Sequence, residues 1–591
     1  MIHPKKSIQN SKGYAAPLYA EEWVMKLDLN ENIIGPSPHV VDALRNISAR
    51  DIQYYPVYGE LINKIAQFNN INNVDQGMVL PTNGADEAIK YIFDTFMEHG
   101  DTVLTVKPTF TMPQVYAKAA GCLYKEIPYT EKWVFPIDEF LKNIDDTVRL
   151  IIVTTPNSPT GEVISRDNLL QIIEKGRDSV VLIDETYANY TDHSYMDLLN
   201  TYDNVIITKS MSKDFAIAGL RLGYIISNPQ NIEYIRRIIS PFSVNVLAAK
   251  AGIAAIDDYR HFEMVKTQVA ESKKILTEGL KGIVKRIYPS EANFLCVDFG
   301  ERAEFIYKKL LRAGIKVKYY NDDPDLNGCF RMTIPAPDQA KHLLNVLQPR
   351  KLVIFDIDGV LIDTQKSYRL AIKGTYEHFS GQEITFEEIQ HAKNLGGLNN
   401  DWDLTEFLLR QAGINTAKNE IIDKFQKLYF NENGTGYILN EELLINPDML
   451  REIAKEFDMA VFTGRPKQEA EFALKSCGLE NLFAPIITMD DLPPDRQKPD
   501  PLGIDRILDM VNPVSAVYLG DTSDDMVAAK EACVTGLGVL PPQDKSEDLR
   551  KSLIEKGASR VLSSTSELTV TTLREVFAVC HPKERSDVRI S

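Results

Sequence analysis

The chain of 591 residues is 44% hydrophobic and 25% charged, with a formal net charge of −17. That length exceeds what a single hydrophobic core fills, so two or more domains are expected. The acidic balance speaks against nucleic acid or an anionic membrane surface as partner, and leaves room for a local basic site that takes a small phosphate ester.

The opening MIHPKKSIQNSKGY has no apolar stretch of the signal-peptide kind, and no apolar run is long enough to span a bilayer. A cytoplasmic protein without a membrane partner is expected. TNGADEAIKYIF (82–93) predicts a helix that starts at a glycine turn. DTVLTV (101–106), RLIIVTT (149–155), SVVLID (179–184) and NVIITKS (204–210) are short β-branched runs separated by amphipathic helical stretches. Such alternation predicts an α/β architecture around a mainly parallel, buried sheet. The pattern starts afresh at KLVIF (351–355), MAVFTG (459–464) and SAVYLGD (515–521). We place the boundary in VLQPRK (346–351), which gives a first domain over 1–348, a second over 349–580, and a charged, disordered tail over 581–591. No Gly/Ser-rich spacer separates the two, which predicts close coupling rather than a loose tether. The six cysteines form no Cys-x-x-Cys pair and the nine histidines no zinc spacing.

TKSMSKDFAIAGLRLGY (208–224) sets Lys213 after a strand, and VLIDETYANY (181–190) ends a strand in Asp184. TTPNSPTGEV (154–163) and the helix start at 84–86 complete the group. Each alone is an ordinary turn or a solvated side chain; together and in this order they suit pyridoxal phosphate chemistry. Lys213 is the amine for a Schiff base with the cofactor aldehyde. Asp184 can hold the charge of a protonated pyridine nitrogen. Asn157 and Tyr187 are placed to donate to the ring 3′-oxygen. The phosphate suits the helix opened by Gly84, Ala85 and Asp86, with Ser210, Ser212 and Arg221 completing the cup. Phe110 is the aromatic cover for the ring.

At these residues the chain resembles the fold-type I aminotransferases, and within them the histidinol-phosphate aminotransferase family. KLDLNENIIGPSP (26–38), QYYP (53–56), GADE (84–87), TPNSPTG (155–161), DETY (184–187), PSEANFL (289–295) and FRMTI (330–334) stand in the family's order, and the resemblance covers about 14–347. It implies a large and a small domain, pyridoxal 5′-phosphate as cofactor and glutamate as amino donor. It also implies a homodimer in which Tyr55 reaches the partner's cofactor phosphate, and substrate contacts from Asn32 and Arg331, the latter on the anionic end. Two positions depart from the family. Phe110 stands where a tyrosine is usual, and KVKYY places Lys318 where an arginine is usual, keeping the charge but losing the bidentate fork. A threonine-phosphate decarboxylase is among the related enzymes on this fold.

In KLVIFDIDGVLIDT (351–364), Asp356 ends an apolar strand and Asp358 lies two residues on. Thr463 ends another strand, Lys498 sits in RQKPDP, and Asp521 and Asp525 follow a third. Strand ends meet at one edge of a parallel sheet. The set suits phosphate ester hydrolysis: Asp356 as nucleophile, Asp358 as acid and then base, and Thr463 and Lys498 on the phosphoryl group. Mg²⁺ is expected among Asp356, Asp358, Asp521 and Asp525, offsetting their mutual repulsion. These residues resemble the haloacid dehalogenase superfamily over about 351–570, in its phosphatase branch. The long insert before Thr463 predicts a helical cap at about 367–440, with NLGGLNNDWDLT (394–405) either a plain interhelical loop or a substrate-facing specificity loop. The expected whole is a bifunctional enzyme, with histidinol phosphate as the shared intermediate. The alternatives are another phosphorylated amino compound, or a second unit that regulates without catalysing.

Overall fold

A computed structural model describes residues 4–5, 8, 22–71, 77–130, 133–394, 400–431 and 434–579. The expected tail at 581–591 and positions 395–399 of the cap loop lie outside the described residues. The chain divides into two compact units, Met1–Ala303 with Ala313–Leu347, and Glu304–Arg312 with Gln348–Ser591. In the second, Lys309 is paired with the buried carboxylate of Asp458 at 2.8 Å.

The first unit is built on a seven-stranded sheet in the order Val79–Thr82, Gly223–Ser227, Val205–Ser210, Val180–Asp184, Val148–Thr154, Thr102–Lys107, Leu123–Pro128. Only Gly223–Ser227 runs antiparallel to its neighbours among the described residues. The central strands are continuous apolar runs because helices cover both faces, so no residue of Val205–Ser210 is exposed. A second sheet of five strands, Met25–Leu27, Ile315–Tyr319, Cys329–Thr333, Phe294–Asp298 and Arg286–Tyr288, carries Arg331.

The second unit has a six-stranded sheet that is parallel throughout, in the order Ile486–Ile487, Asp458–Phe462, Leu352–Phe355, Ala516–Gly520, Thr535–Val539, Ala558–Leu562. Leu352–Phe355 lies centrally, so its C-terminal end opens between Asp458–Phe462 and Ala516–Gly520. The expected cap is present. Helices Tyr368–Ser380, Phe386–Asn394, Asp401–Gln411 and Lys418–Tyr429 bury their own core of Ile372, Leu404, Leu409, Ile421 and Phe425. The chain leaves for the cap and returns from it through the antiparallel pair Ile362–Asp363 and Glu442–Leu443. No helix among the described residues is long and apolar enough to cross a membrane.

Candidate active sites

In the first unit the C-terminal ends of the parallel strands surround a cavity of about 380 Å³. Ala85, Asp86, Phe110, Asp184, Tyr187, Ser210, Ser212, Lys213, Arg221 and Arg331 all line it. Lys213 Nζ donates to the Leu29 carbonyl at 2.8 Å, and burial, then the charge of Arg331, lowers its amine to about 8. Asp184 is buried at the end of its strand. Its Oδ1 accepts from the Thr186 amide at 3.1 Å and the Thr186 hydroxyl at 2.7 Å, and burial lifts the carboxyl to about 6. A protonated ring nitrogen facing it would supply the missing positive charge.

Helix Ala85–Phe96 starts at Gly84, whose φ is +85° and whose cap position provides no side-chain oxygen. A Cβ there would meet Arg221 Nη2 at 2.5 Å, so glycine is what lets the guanidinium close over the helix start. Arg221 in turn pairs with Asp86 at 3.0 Å. Ser212 Oγ is buried without a hydrogen-bond partner. An uncapped helix start, an orphaned hydroxyl and an arginine in one cavity fit the phosphate of pyridoxal phosphate, and Lys213 with Asp184 fits its ring. Arg331 donates to Ser158 Oγ at 3.0 Å and to the Asp28 carbonyl at 2.6 Å, while its buried Nε has no partner. That unmet donor suits a substrate anion.

Asn157 and Asn32 spend their amides on the protein, and Tyr55, expected at a partner's cofactor, lies off this chain's own cavity. Asn157 engages both amide hydrogens, with Pro108 O at 3.0 Å and Thr160 Oγ1 at 2.9 Å, so it braces the loop that carries Ser158. Asn32 donates to the Asp214 carbonyl at 2.9 Å and so fixes the segment beside Lys213. Tyr55 is 75% exposed and stacks on Phe242 at 4.3 Å, away from this chain's cavity. Asn30, Thr186 and Ser158 lie within the quoted motifs but were given no role there; their contacts with Tyr187, Asp184 and Arg331 mark them.

In the second unit a cavity of about 410 Å³ lies over the sheet's C-terminal edge and is lined by Asp356, Asp358, Thr463, Lys498, Asp521 and Asp525. Lys498 Nζ bridges Asp356 Oδ2 at 3.0 Å and Asp525 Oδ1 at 2.8 Å. The two carboxylates push its ammonium pKa up, although burial opposes them. Asp525 is fixed by the start of helix Ser523–Glu531. Its Oδ2 accepts from the Thr522 amide at 3.0 Å and hydroxyl at 2.7 Å in a capping box, and Tyr518 donates to Oδ1 at 2.8 Å.

Asp356, Asp521 and Asp525 each offer an oxygen within 4.8 Å of the others, an all-oxygen set of the kind Mg²⁺ takes. Asp358, also expected at the metal, turns its carboxylate to Arg465 instead, with Nη2 at 2.6 Å. The stretch expected as a loop over 394–405 is helical from 401 on: Asn400 caps helix Asp401–Gln411, and Asn400, Asp401 and Asp403 line this cavity.

Comparison with known proteins places both units. Residues 22–347 match aminotransferase class I and II, and residues 353–539 match haloacid dehalogenase-like hydrolase. The histidinol-phosphate aminotransferase of Methanocaldococcus jannaschii is 31% identical over 335 residues, 55% of this chain and 89% of that protein. That of Thermoanaerobacter pseudethanolicus is 28% identical over 350 residues, 58% of this chain and 97% of that protein. Two crystal structures share the fold of the first unit. The histidinol-phosphate aminotransferase of Clostridium acetobutylicum has a TM-score of 0.51 at 22% identity, covering 55% of this chain and 98% of that one. That of Sinorhizobium meliloti, solved with pyridoxal-5′-phosphate, has a TM-score of 0.51 at 21% identity, covering 55% and 90%.

Proposed function

The chain belongs to the aminotransferase class I and II family and carries a haloacid dehalogenase-like hydrolase domain behind it, and we propose that it is a bifunctional enzyme. The first unit transfers an amino group to a phosphorylated keto substrate with pyridoxal 5′-phosphate. The second hydrolyses the phosphate ester of the product with Mg²⁺. Our reading of the substrates is imidazole-acetol phosphate with glutamate, giving histidinol phosphate and 2-oxoglutarate, and then histidinol. The relatives' names support the first half. The observation that carries the second is the convergence of Asp356, Asp358, Thr463 and Lys498 on one cavity.

In the first unit the bound cofactor supplies an electron sink for the carbon that gains or loses the amino group. Lys213 holds the cofactor and moves the proton at that carbon, which its lowered basicity favours near neutral pH. Asp184 keeps the ring nitrogen protonated, and Ser212, Arg221 and the first amides of Ala85–Phe96 bind the phosphate. Phe110 covers the ring face, and Arg331 takes the anionic end of either substrate.

In the second unit Asp356 attacks phosphorus and the ester oxygen leaves with a proton from Asp358; Asp358 then takes a proton from the water that cleaves the acyl phosphate. Thr463 and Lys498 bind the phosphoryl oxygens. Mg²⁺ supplies the positive charge that lets a phosphate dianion enter among three carboxylates. We further propose a homodimer through the first unit. Exposed Ile52, Tyr54, Tyr55, Val57 and Phe242 supply apolar surface for it, and Tyr55 is then available to the partner's cofactor phosphate.

Lys318 favours a second reading, in which both reactions act on another phosphorylated amino compound. It is paired across from Arg331 on the neighbouring strand and brings one ammonium where a guanidinium fork is usual. Incubation with imidazole-acetol phosphate and glutamate, followed by mass spectrometry, decides between them. Histidinol is expected; 2-oxoglutarate formation from other phosphorylated keto compounds, with none from this one, favours the second reading.

A further inference from the structure

Arg465 is a cation buried beside the reacting groups, 1% exposed and two residues past Thr463. Its guanidinium is a hub. Nε and Nη2 donate to Asp358 Oδ1 at 2.9 and 2.6 Å. Nη1 and Nη2 donate to the two oxygens of Glu441 at 2.9 and 3.0 Å, fork on fork. Nη1 also donates to the Tyr429 hydroxyl at 3.1 Å. These bonds use every N–H of the group.

The partners come from separate parts of the unit. Asp358 follows the nucleophile. Tyr429 ends the cap helix Lys418–Tyr429, and Glu441 immediately precedes Glu442–Leu443, the strand by which the chain returns from the cap. Glu441 Oε1 also accepts from Ser367 Oγ at 2.9 Å, on the outgoing side of the same crossing. A buried guanidinium needs its charge matched and its donors filled. Glu441 and Tyr429 supply this from the cap side, while the bonds to Asp358 reach a side chain that is itself 36% exposed and lines the catalytic cavity. Both of those bonds go to Oδ1, leaving Oδ2 as the oxygen that can exchange a proton with the ester oxygen.

We infer that Arg465 is the positioning residue for Asp358, and that through Glu441 it makes the placement of the acid–base carboxylate depend on the cap's hinge. Opening the hinge withdraws Glu441, and Asp358 then loses its fixed orientation over the phosphoryl site. The inference rests on the phosphatase reading of the second unit.

The test is a mutant cycle on the full-length protein with Mg²⁺, using p-nitrophenyl phosphate and an alkyl phosphate. Arg465→Ala removes a buried ion and can fail to fold, so Glu441→Gln, which keeps the shape but replaces one accepting oxygen with a donating NH2 and so breaks half of the fork to Arg465, is the working variant. In the wild-type background Glu441→Gln should lower kcat on the alkyl ester at least about tenfold, within the range that acid–base catalysis contributes, with KM changed by less than about twofold. In an Asp358→Asn background the same change should cost less than about twofold on p-nitrophenyl phosphate, because its effect passes through Asp358. Equal losses in both backgrounds, or no loss in the first, overturn the inference while leaving the phosphatase reading intact. A wild type that hydrolyses neither ester, or whose turnover survives Asp356→Asn, overturns the phosphatase reading and the inference with it.

Discussion

Asp356→Asn removes the nucleophile, yet in metal-free protein it should make the second unit more stable above neutral pH. Burial, with the nearby charges of Asp525 and Asp358 adding to it against the pull of Lys498, lifts Asp356 from 3.8 to about 7. The unfolded chain therefore releases this proton near the lower value and the folded chain near the upper one. Between them the folded state binds more protons, so stability falls as pH rises through that window and stays low above it. At about 1.36 kcal/mol per pH unit, the lift from 3.8 to about 7 comes to roughly 4 kcal/mol once pH exceeds the folded value. Asparagine carries no charge there and escapes the cost. The assay is scanning calorimetry in EDTA at pH 5 and pH 8, following the transition of the second unit. For a unit of this size, at about 2–4 °C per kcal/mol, the variant should melt roughly 8–16 °C above wild type at pH 8. That gap should shrink by more than half at pH 5. Added Mg²⁺ should favour the wild type, since three carboxylates bind it better than two. A variant no more stable than wild type at pH 8, or a gap that does not narrow on acidification, would refute this account of Asp356.

Capture of pyridoxal phosphate by apo-protein, followed by visible absorbance, should quicken about tenfold per pH unit up to about pH 8 and then level, because only the neutral Lys213 amine reacts. Lys213→Ala should abolish the absorbance and the transamination while leaving phosphate release unchanged. Arg331→Ala should weaken apparent substrate affinity at least about tenfold, the equivalent of about 1.5–3 kcal/mol for a charge-assisted pair, with cofactor absorbance retained in steady-state titrations. Thr522→Ala breaks the capping box that holds Asp525; it should cost about 0.5–2 kcal/mol in unfolding experiments and raise the Mg²⁺ concentration needed for half-maximal hydrolysis.

The seven-stranded and six-stranded sheets were legible because buried parallel strands must be apolar on two faces, and runs such as RLIIVTT and KLVIF show that without any partner in view. Lys213, Asp184 and Asp356 were legible for a related reason: a reactive side chain at or just past a strand end stands out against the apolar run before it. What the sequence by itself determined is therefore the pair of α/β units and the chemical character of their strand ends. Orientation was decided elsewhere. Asn157 and Asn32 lie in the right motifs, yet their amides donate to loop groups, Asn157 to the Pro108 carbonyl and the Thr160 hydroxyl and Asn32 to the Asp214 carbonyl, partners that only the folded chain brings near. Asp358 reads as a metal neighbour from its spacing, but its carboxylate turns to a guanidinium. Arg465 itself reads as an ordinary turn residue in TGRP. Its partners at 358, 429 and 441 are distant along the chain and meet only when the cap is folded onto its stem. A buried charge takes whichever partners the tertiary structure brings within hydrogen-bond reach, and no local pattern records that choice.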